Sequence, residues 1–281
     1  MMTKNSCILF CLMLITIQAS ASGRFRDSNK HRAITPLTGN SSFASGTTVY
    51  DTLSGPDPSP EAVALFRFLQ DMSGKKILSG QMWAPWGIDE LNYLQNVTGK
   101  LPAVRGADLI TESANDSEIQ NLVNWWNRGG IPTLMWHWGA PGVGEGYENS
   151  KAEIDIDKCF EEGTVEYSEM WRELKLKADH LQVLRDAHVP VLWRPLHELN
   201  GSWFWWGKQG PDRFKKLWRT MYDYFVHERG LNNLIWVLCY MDTPDGAWYP
   251  GDEYVDIAGA DTYNGGADIH EDMYQSVRAI T

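Results

Sequence analysis

Short runs of apolar residues recur along the chain, separated by longer stretches that have a helical period. The runs are continuously apolar, which is typical of parallel strands buried on both faces. The intervening stretches carry apolar positions three and four residues apart, as in helices that pack one face against a sheet. The pattern predicts strands at residues 76–81, 102–106, 131–138, 189–194, 233–238 and 255–261. It predicts helices at residues 61–72 (capped by Ser59), 116–128, 167–187 and 212–229.

Polar or aromatic residues follow nearly every predicted strand. They are Gln81, Asp108, His137, Glu198, Tyr240, Asp261 and Tyr263. An open doubly wound sheet places its ligand at one switch point, whereas a closed barrel lets the loops after all its strands share one site. The sequence therefore predicts an α/β fold, a (β/α)8 TIM barrel, of which it contains the first six βα units. The stretch 241–254 is too short for a full helix.

Residues 1–21 have the pattern of a signal peptide. Lys4 precedes an apolar run over residues 7–17, and residues 19–21 form an Ala-Ser-Ala cleavage motif. The run is too short to cross a bilayer. Residues 22–60, rich in Ser, Thr, Pro and Gly, predict a flexible leader, and residues 61–281 a barrel domain that is incomplete at its C-terminus. We expect a secreted, periplasmic or cell-surface protein with no membrane span.

Composition restricts the ligand. The net charge of −11 disfavours nucleic acid and anionic membranes as partners. The chain has 14 Trp, several of them clustered; indoles stack on the apolar faces of sugar rings while carboxylates and amides bind the hydroxyls. A neutral carbohydrate fits this combination. We expect a monomer without metal or cofactor. Past the signal peptide only Cys159 and Cys239 remain, and the sequence leaves open whether they pair.

Residues 193–207, WRPLHELNGSWFWWG, carry the candidate chemistry. A Trp-rich loop would desolvate Glu198 and raise its pKa, as a general acid requires, while His197 and Arg194 would orient it. His197 and Glu198 begin an H-E-x-x-H pattern, but residue 201 is Gly, so a zinc site is not predicted. The alternative is a buried Arg194–Glu198 ion pair with the Trp residues merely packing.

The same segment resembles the signature of glycoside hydrolase family 26, the secreted β-mannanases. Weaker matches occur at residues 79–81, 136–138 and 256–263. The resemblance implies that Glu198 is the general acid/base and that His197 orients the site beside the nucleophile. The implied substrate-binding residues are His137, Arg194, Trp203, Trp206, Asp261 and Tyr263, with the Tyr263 hydroxyl bonding the nucleophile. Two readings stay open: His137 as a core histidine, and Asp261 as a residue that orients others.

The family's nucleophile is a Glu at the end of the seventh strand. Glu271 falls in a helix after the sixth strand, so we do not assign it this role. We expect the nucleophile beyond Thr281 and the chain to be inactive by itself. Asn200 begins an N-x-S sequon, and a glycan there would block the cleft, which favours a source that does not glycosylate it.

The sequence thus predicts a retaining endo-β-1,4-mannanase acting on mannan, galactomannan and glucomannan. Other polysaccharide hydrolases of the same family stay open: a β-1,3-xylanase, a mixed-linkage β-glucanase or a mannobiose-releasing exo-enzyme. A non-catalytic carbohydrate-binding barrel is the alternative from a different class.

Overall fold

The computed structural model describes residues 51–83, 90–263 and 270–281. The predicted signal peptide and residues 22–50 of the predicted leader lie outside these ranges. Within them, one sheet has six parallel strands in the order β1 to β6. The strands are β1 Gly80–Met82, β2 Val104–Asp108, β3 Ile131–Trp136, β4 Val191–Pro195, β5 Leu234–Met241 and β6 Ile257–Asp261. This is the order of the first six strands of a (β/α)8 barrel, as predicted.

Helices alternate with these strands. They are α1 Pro60–Met72, α2 Glu90–Thr98, α3 Glu112–Asn127, α4 Val165–Asp186, α5 Pro211–Tyr222 and α6 Glu271–Ile280. A π-helical turn, Asp223–Glu228, extends α5 almost to the predicted end. Only two short 3-10 turns occur between β5 and β6, as predicted. The sequence analysis missed α2, which buries only Leu91 and therefore has a weak apolar face.

Two apolar clusters cover the two faces of the sheet. In one, α1 packs Leu65 and Phe66 onto residues that begin strands, such as Ile131 and Ile235. In the other, outward side chains such as Trp193 pack against the surrounding helices. Because α1 covers the amino-terminal ends of the strands, their carboxyl ends are left for the loops that carry function.

The last residues of the predicted leader pack against the barrel. Leu53 is buried, and the Ser54 N–H donates to Asp256 Oδ1 over 2.6 Å. The other oxygen of Asp256 accepts the Trp236 N–H at 2.7 Å. The barrel domain therefore begins before residue 61, because a buried carboxylate needs the Ser54 amide as a partner.

Cys159 and Cys239 are both free and buried, so the structure has no bridge between them. Burial raises the pKa of each thiol to about 12. In the described part of the chain, none of the helices has the length and apolar character needed to cross a bilayer.

Candidate active site

Glu198 lies where the chain turns away from the end of β4. Leu196 and Glu198 have φ values of 50° and 53°, a left-handed conformation that is uncommon for residues other than glycine. Two backbone bonds hold the turn: the Leu199 N–H donates to the Cys239 carbonyl on β5, and the Gly201 N–H donates to the Glu198 carbonyl. Such conformations persist where the surroundings enforce them, often at functional sites. The turn fixes the position of the Glu198 side chain.

Both carboxylate oxygens of Glu198 have a neutral donor. Trp203 Nε1–H donates to Oε2 at 2.7 Å, and the Tyr263 hydroxyl donates to Oε1 at 2.8 Å. Burial and the Glu198 charge raise the pKa of Tyr263, which keeps its hydroxyl a donor. The alternative interpretation, a buried Arg194–Glu198 ion pair, is therefore wrong, since an indole and a phenol hold Glu198. Tyr263, which the resemblance places on the nucleophile, bonds Glu198 among the described residues.

The loop 199–207 depends on two glycines at close approaches. A Cβ on Gly207 would lie 2.4 Å from the Gly201 carbonyl oxygen. A Cβ on Gly201 would lie 2.6 Å from Cζ2 of Trp203. Neither approach leaves room for a side chain, so the glycines let the loop fold back on itself and bring Trp203 to Glu198.

The three indoles of this loop have different roles. Only Trp203 contacts Glu198. Trp205 donates its N–H to the Trp138 carbonyl and Trp206 to the His197 carbonyl. Trp206 is fully buried and stacks on Phe204 with ring centroids 4.4 Å apart. The Trp206 indole is packed inside the loop and supports His197, which speaks against the predicted contact with substrate.

Arg194 and Asp261 form an ion pair inside the barrel, with Nη1 2.7 Å from Oδ2. Both residues are buried, and Arg194 also contacts Cys239 Sγ and Met135 Sδ. Burial opposes the charge of Arg194, yet the Asp261 carboxylate raises the pKa of the guanidinium. The pair joins β3, β4, β5 and β6. The structure thus favours the reading of Asp261 as an orienting residue and corrects Arg194 from a substrate contact to a structural one, because its donors are used inside the barrel.

His137, His197 and Asp108 form a chain of side chains beside Glu198. The Nε2 atoms of the two histidines lie 3.2 Å apart, and His137 Nδ1 lies 2.5 Å from Asp108 Oδ2. Burial, reinforced by the charges of His137 and Arg194, holds the pKa of His197 well below its usual range. His197 is therefore neutral near pH 7. Asp108 was predicted at the end of a strand, but its contact with His137 was not predicted.

A cavity of about 650 Å³ lies over the ends of the first three strands. Its walls include Trp83, Asp108, His137, Tyr147 and Tyr263. Tyr263 joins this cavity to Glu198, since its side chain lines the cavity while its hydroxyl binds Glu198. Mostly apolar walls with a few polar groups suit a sugar ligand. Tyr147 was not predicted as a site residue and lies in the long segment after β3. An aromatic side chain in a Gly-rich loop is the sequence feature that could have indicated it.

The residues described here include no group of three or more His, Cys, Asp or Glu side chains placed to hold a metal ion. The chemistry they offer is that of an oriented carboxyl at the carboxyl face of a parallel βα barrel, next to an aromatic cleft. A carboxyl held in this way at this face of a barrel is what the acid half of a glycoside hydrolase site requires.

The chain belongs to glycosyl hydrolase family 26, whose profile matches residues 54–281. A mannan endo-1,4-β-mannosidase of Thermothelomyces thermophilus is 38% identical over 229 residues, which cover 75% of this chain and 46% of that protein. The mannan endo-1,4-β-mannosidase A and B of Caldalkalibacillus mannanilyticus is 32% identical over 277 residues, covering 88% of this chain and 53% of that protein. The chain thus spans about half the length of these curated relatives.

Solved structures of β-mannanases have a similar fold. A GH26-CBM35 β-(1,4)-mannanase of Podospora anserina has a TM-score of 0.73 at 32% identity, covering 85% of this chain and 56% of that one. A β-mannanase from a symbiotic protist of the termite Reticulitermes speratus, complexed with gluco-manno-oligosaccharide, has a TM-score of 0.70 at 36% identity. It covers 83% of this chain and 80% of that one. The predicted family and the partial TIM barrel are confirmed.

Proposed function

We propose that the natural protein is a secreted, retaining endo-β-1,4-mannanase in which Glu198 is the general acid/base. The observation that carries the proposal is the geometry of Glu198. Its side chain is buried, both oxygens are held by neutral donors, and one of these donors, Tyr263, also lines the adjoining cleft. A carboxyl fixed in this way can deliver a proton to one particular oxygen of a bound polysaccharide.

In the proposed reaction, Glu198 protonates the glycosidic oxygen of the leaving sugar while a second carboxylate attacks the anomeric carbon. Glu198 then removes a proton from water, and the water releases the sugar from the enzyme. Retention requires the two carboxyls to lie about 5–5.5 Å apart. We place the nucleophile on a Glu of a further strand, beside His197.

The mannan backbone is the proposed substrate because the relatives named above are mannan-hydrolysing enzymes and one of them was solved with a gluco-manno-oligosaccharide. Trp203 and His137 are the proposed sugar contacts. Trp203 lies against the acid, and His137 lines the cleft.

The test uses the natural full-length protein and compares wild type, Glu198→Gln and Glu148→Gln. Glu148 is a matched control because it is exposed and pairs only with Lys151 among the contacts described. Release of reducing sugars would be measured on mannan, glucomannan, β-1,3-xylan and mixed-linkage β-glucan, with chromatography of the products. We expect hydrolysis of the mannans into mixed oligosaccharides, loss of this activity in Glu198→Gln and full activity in Glu148→Gln. Undiminished mannan hydrolysis by Glu198→Gln would refute the role of Glu198, and hydrolysis of only xylan or mixed-linkage glucan would refute the substrate.

The mechanism has its own test. An aryl β-mannoside with a good leaving group does not need an acid for its first step, so Glu198→Ala should still transfer its sugar to the nucleophile. Added azide should then restore turnover and yield the β-mannosyl azide. Formation of the α-azide would show that the enzyme inverts and would overturn the retaining mechanism.

A further inference from the structure

Both carboxylate oxygens of Asp108 contact the same residue, His137. Oδ1 accepts the backbone N–H of His137 at 2.9 Å, and Oδ2 lies 2.5 Å from Nδ1 of the same residue. Both side chains are largely buried, with exposed fractions of 9% and 14%. Because an ionised carboxylate can only accept hydrogen bonds, Nδ1 of His137 must carry a proton.

The other nitrogen of His137 meets a second histidine. Its Nε2 lies 3.2 Å from Nε2 of His197, and the two rings are nearly perpendicular, at 87°. One of these nitrogens must donate and the other accept. The direction of this bond therefore determines where the single ring proton of neutral His197 resides.

Only two arrangements satisfy these contacts. When His137 is neutral, its one proton is on Nδ1, so its Nε2 accepts and His197 Nε2 donates, which leaves His197 Nδ1 bare. When His137 gains a second proton, its Nε2 donates, and the proton of His197 must move to Nδ1. Nδ1 of His197 is buried and has no hydrogen-bond partner among the described residues.

We propose that Asp108 is a positioning residue whose bond to His137 sets the tautomers of His137 and His197, so that protonation of His137 converts His197 Nδ1 from an acceptor into a donor. His197 directly precedes the proposed acid/base, Glu198, in sequence. The contacts from Asp108 through His137 therefore set whether Nδ1 of His197 donates or accepts a hydrogen bond. Other ionisable groups near the pair include Arg194 with its partner Asp261, and Tyr147, Glu118 and Tyr263 in the wall of the same cavity.

The test is nitrogen NMR of this chain with 15N-labelled histidine, which distinguishes protonated from bare ring nitrogens. The sequence has seven histidines, and His137→Gln and His197→Gln assign the two of interest. At a pH where both rings are neutral, we expect protons on His137 Nδ1 and His197 Nε2. On acidification, the appearance of a proton on His137 Nε2 should coincide with transfer of the His197 proton to Nδ1. A His137 ring protonated only on Nε2, or a His197 tautomer that does not change with His137, would overturn the proposal.

Asp108→Asn gives the opposite arrangement. The amide N–H of Asn can donate to a bare Nδ1, so the proton of neutral His137 should move to Nε2 and the proton of His197 to Nδ1. Asp116→Asn is the matched control, since Asp116 Oδ1 lies 3.5 Å from Nδ1 of His180, away from the cleft. It should leave both tautomers unchanged. Failure of Asp108→Asn to invert either ring would contradict the role of Asp108; the wild-type titration remains a test even if this variant does not fold.

The consequence for hydrolysis rests on the proposed function. In the natural full-length protein, we expect Asp108→Asn to lower kcat about tenfold or more with a smaller change in KM, in the range seen for residues that orient a ligating histidine. If the wild type hydrolyses no mannan, the proposed function fails, while the NMR experiment still decides the relay. If hydrolysis proceeds and Asp108→Asn leaves kcat unchanged, the catalytic consequence is wrong.

Discussion

Replacing Gly201 by Ala should impair Glu198, the proposed general acid/base, without direct contact with its side chain. The new Cβ would lie 2.6, 2.7 and 2.8 Å from three atoms of the Trp203 indole, whereas ordinary van der Waals contacts begin near 3.4 Å. The indole must therefore retreat by roughly 0.6–0.8 Å, the difference between these distances. A movement of this size along the bond would stretch the 2.7 Å contact between Trp203 Nε1 and Glu198 beyond about 3.2 Å, the usual limit for N–H···O bonds.

A hydrogen bond to a charged group contributes about 1.5–3 kcal/mol. Loss of that contribution in the transition state corresponds to a decrease in rate on the order of 10–100-fold. We expect this decrease in kcat/KM on mannan for Gly201→Ala, measured by reducing-sugar release with the natural full-length protein. The global fold should remain, because the three atoms nearest to the new Cβ all belong to one side chain, Trp203. Thermal melting would confirm this.

Two further variants test whether the Gly201–Trp203 contact positions Glu198. Trp203→Phe removes the same donor, so the double variant should be hardly slower than Trp203→Phe alone, because the two changes act on one bond. Gly246→Ala is the control, since a Cβ there meets only Ile280 at an ordinary 3.7 Å. Wild-type activity in Gly201→Ala, or fully additive losses in the double variant, would show that the Gly201–Trp203 contact does not position Glu198.

Three further predictions concern the barrel and the cleft. Arg194→Met should lower the free energy of unfolding by about 3–5 kcal/mol in denaturant titrations, because it leaves the buried Asp261 carboxylate without its partner; a loss below 1 kcal/mol would contradict this. Burial raises the pKa of Glu173 from 4.5 to about 7, so the stability due to its protonated form is present below pH 4.5 and is lost as the pH rises to 7. Glu173→Gln should flatten this decline in unfolding measurements across that range, and an unchanged slope would assign the decline to other groups. Tyr147→Ala should raise KM for mannan with little change in kcat, whereas Tyr147→Phe should behave like wild type, because the ring lines the cleft; a loss in kcat alone would place Tyr147 in the chemistry instead.

Local patterns made much of this structure predictable. Each strand is a short, continuously apolar segment, and Glu198 lies within five residues of its partner Trp203, so a single stretch of sequence carries the acid and one of its donors. Tyr263 binds a carboxylate in the structure, that of Glu198, whereas its predicted bond to the nucleophile stays a prediction.

The errors came from contacts between distant residues. Arg194 and Asp261 are 67 positions apart and meet only when β4 and β6 are placed in the same barrel, so spacing alone suggested the nearer Glu198 as a partner. Asp108 and His137 are 29 positions apart on neighbouring strands. The position of Trp206 was not predictable for another reason: three indoles in a tight loop are equivalent in sequence, and only the fold of the loop decides which one is turned inward.

Asn200 holds the acid-bearing loop to the neighbouring strand. Its side-chain amide donates to the carbonyls of Met241 and Thr243, at 3.2 and 2.8 Å, and its oxygen accepts the Met241 N–H at 2.7 Å. A glycan attached to Nδ2 leaves that nitrogen one N–H, so at least one of these donations is lost and a bulky chain is forced between two loops. The choice of production host is therefore a biochemical variable for this protein: a host that glycosylates Asn200 during synthesis should yield protein in which the loop that carries Glu198 is held less firmly, whereas a bacterial host should yield the intact arrangement.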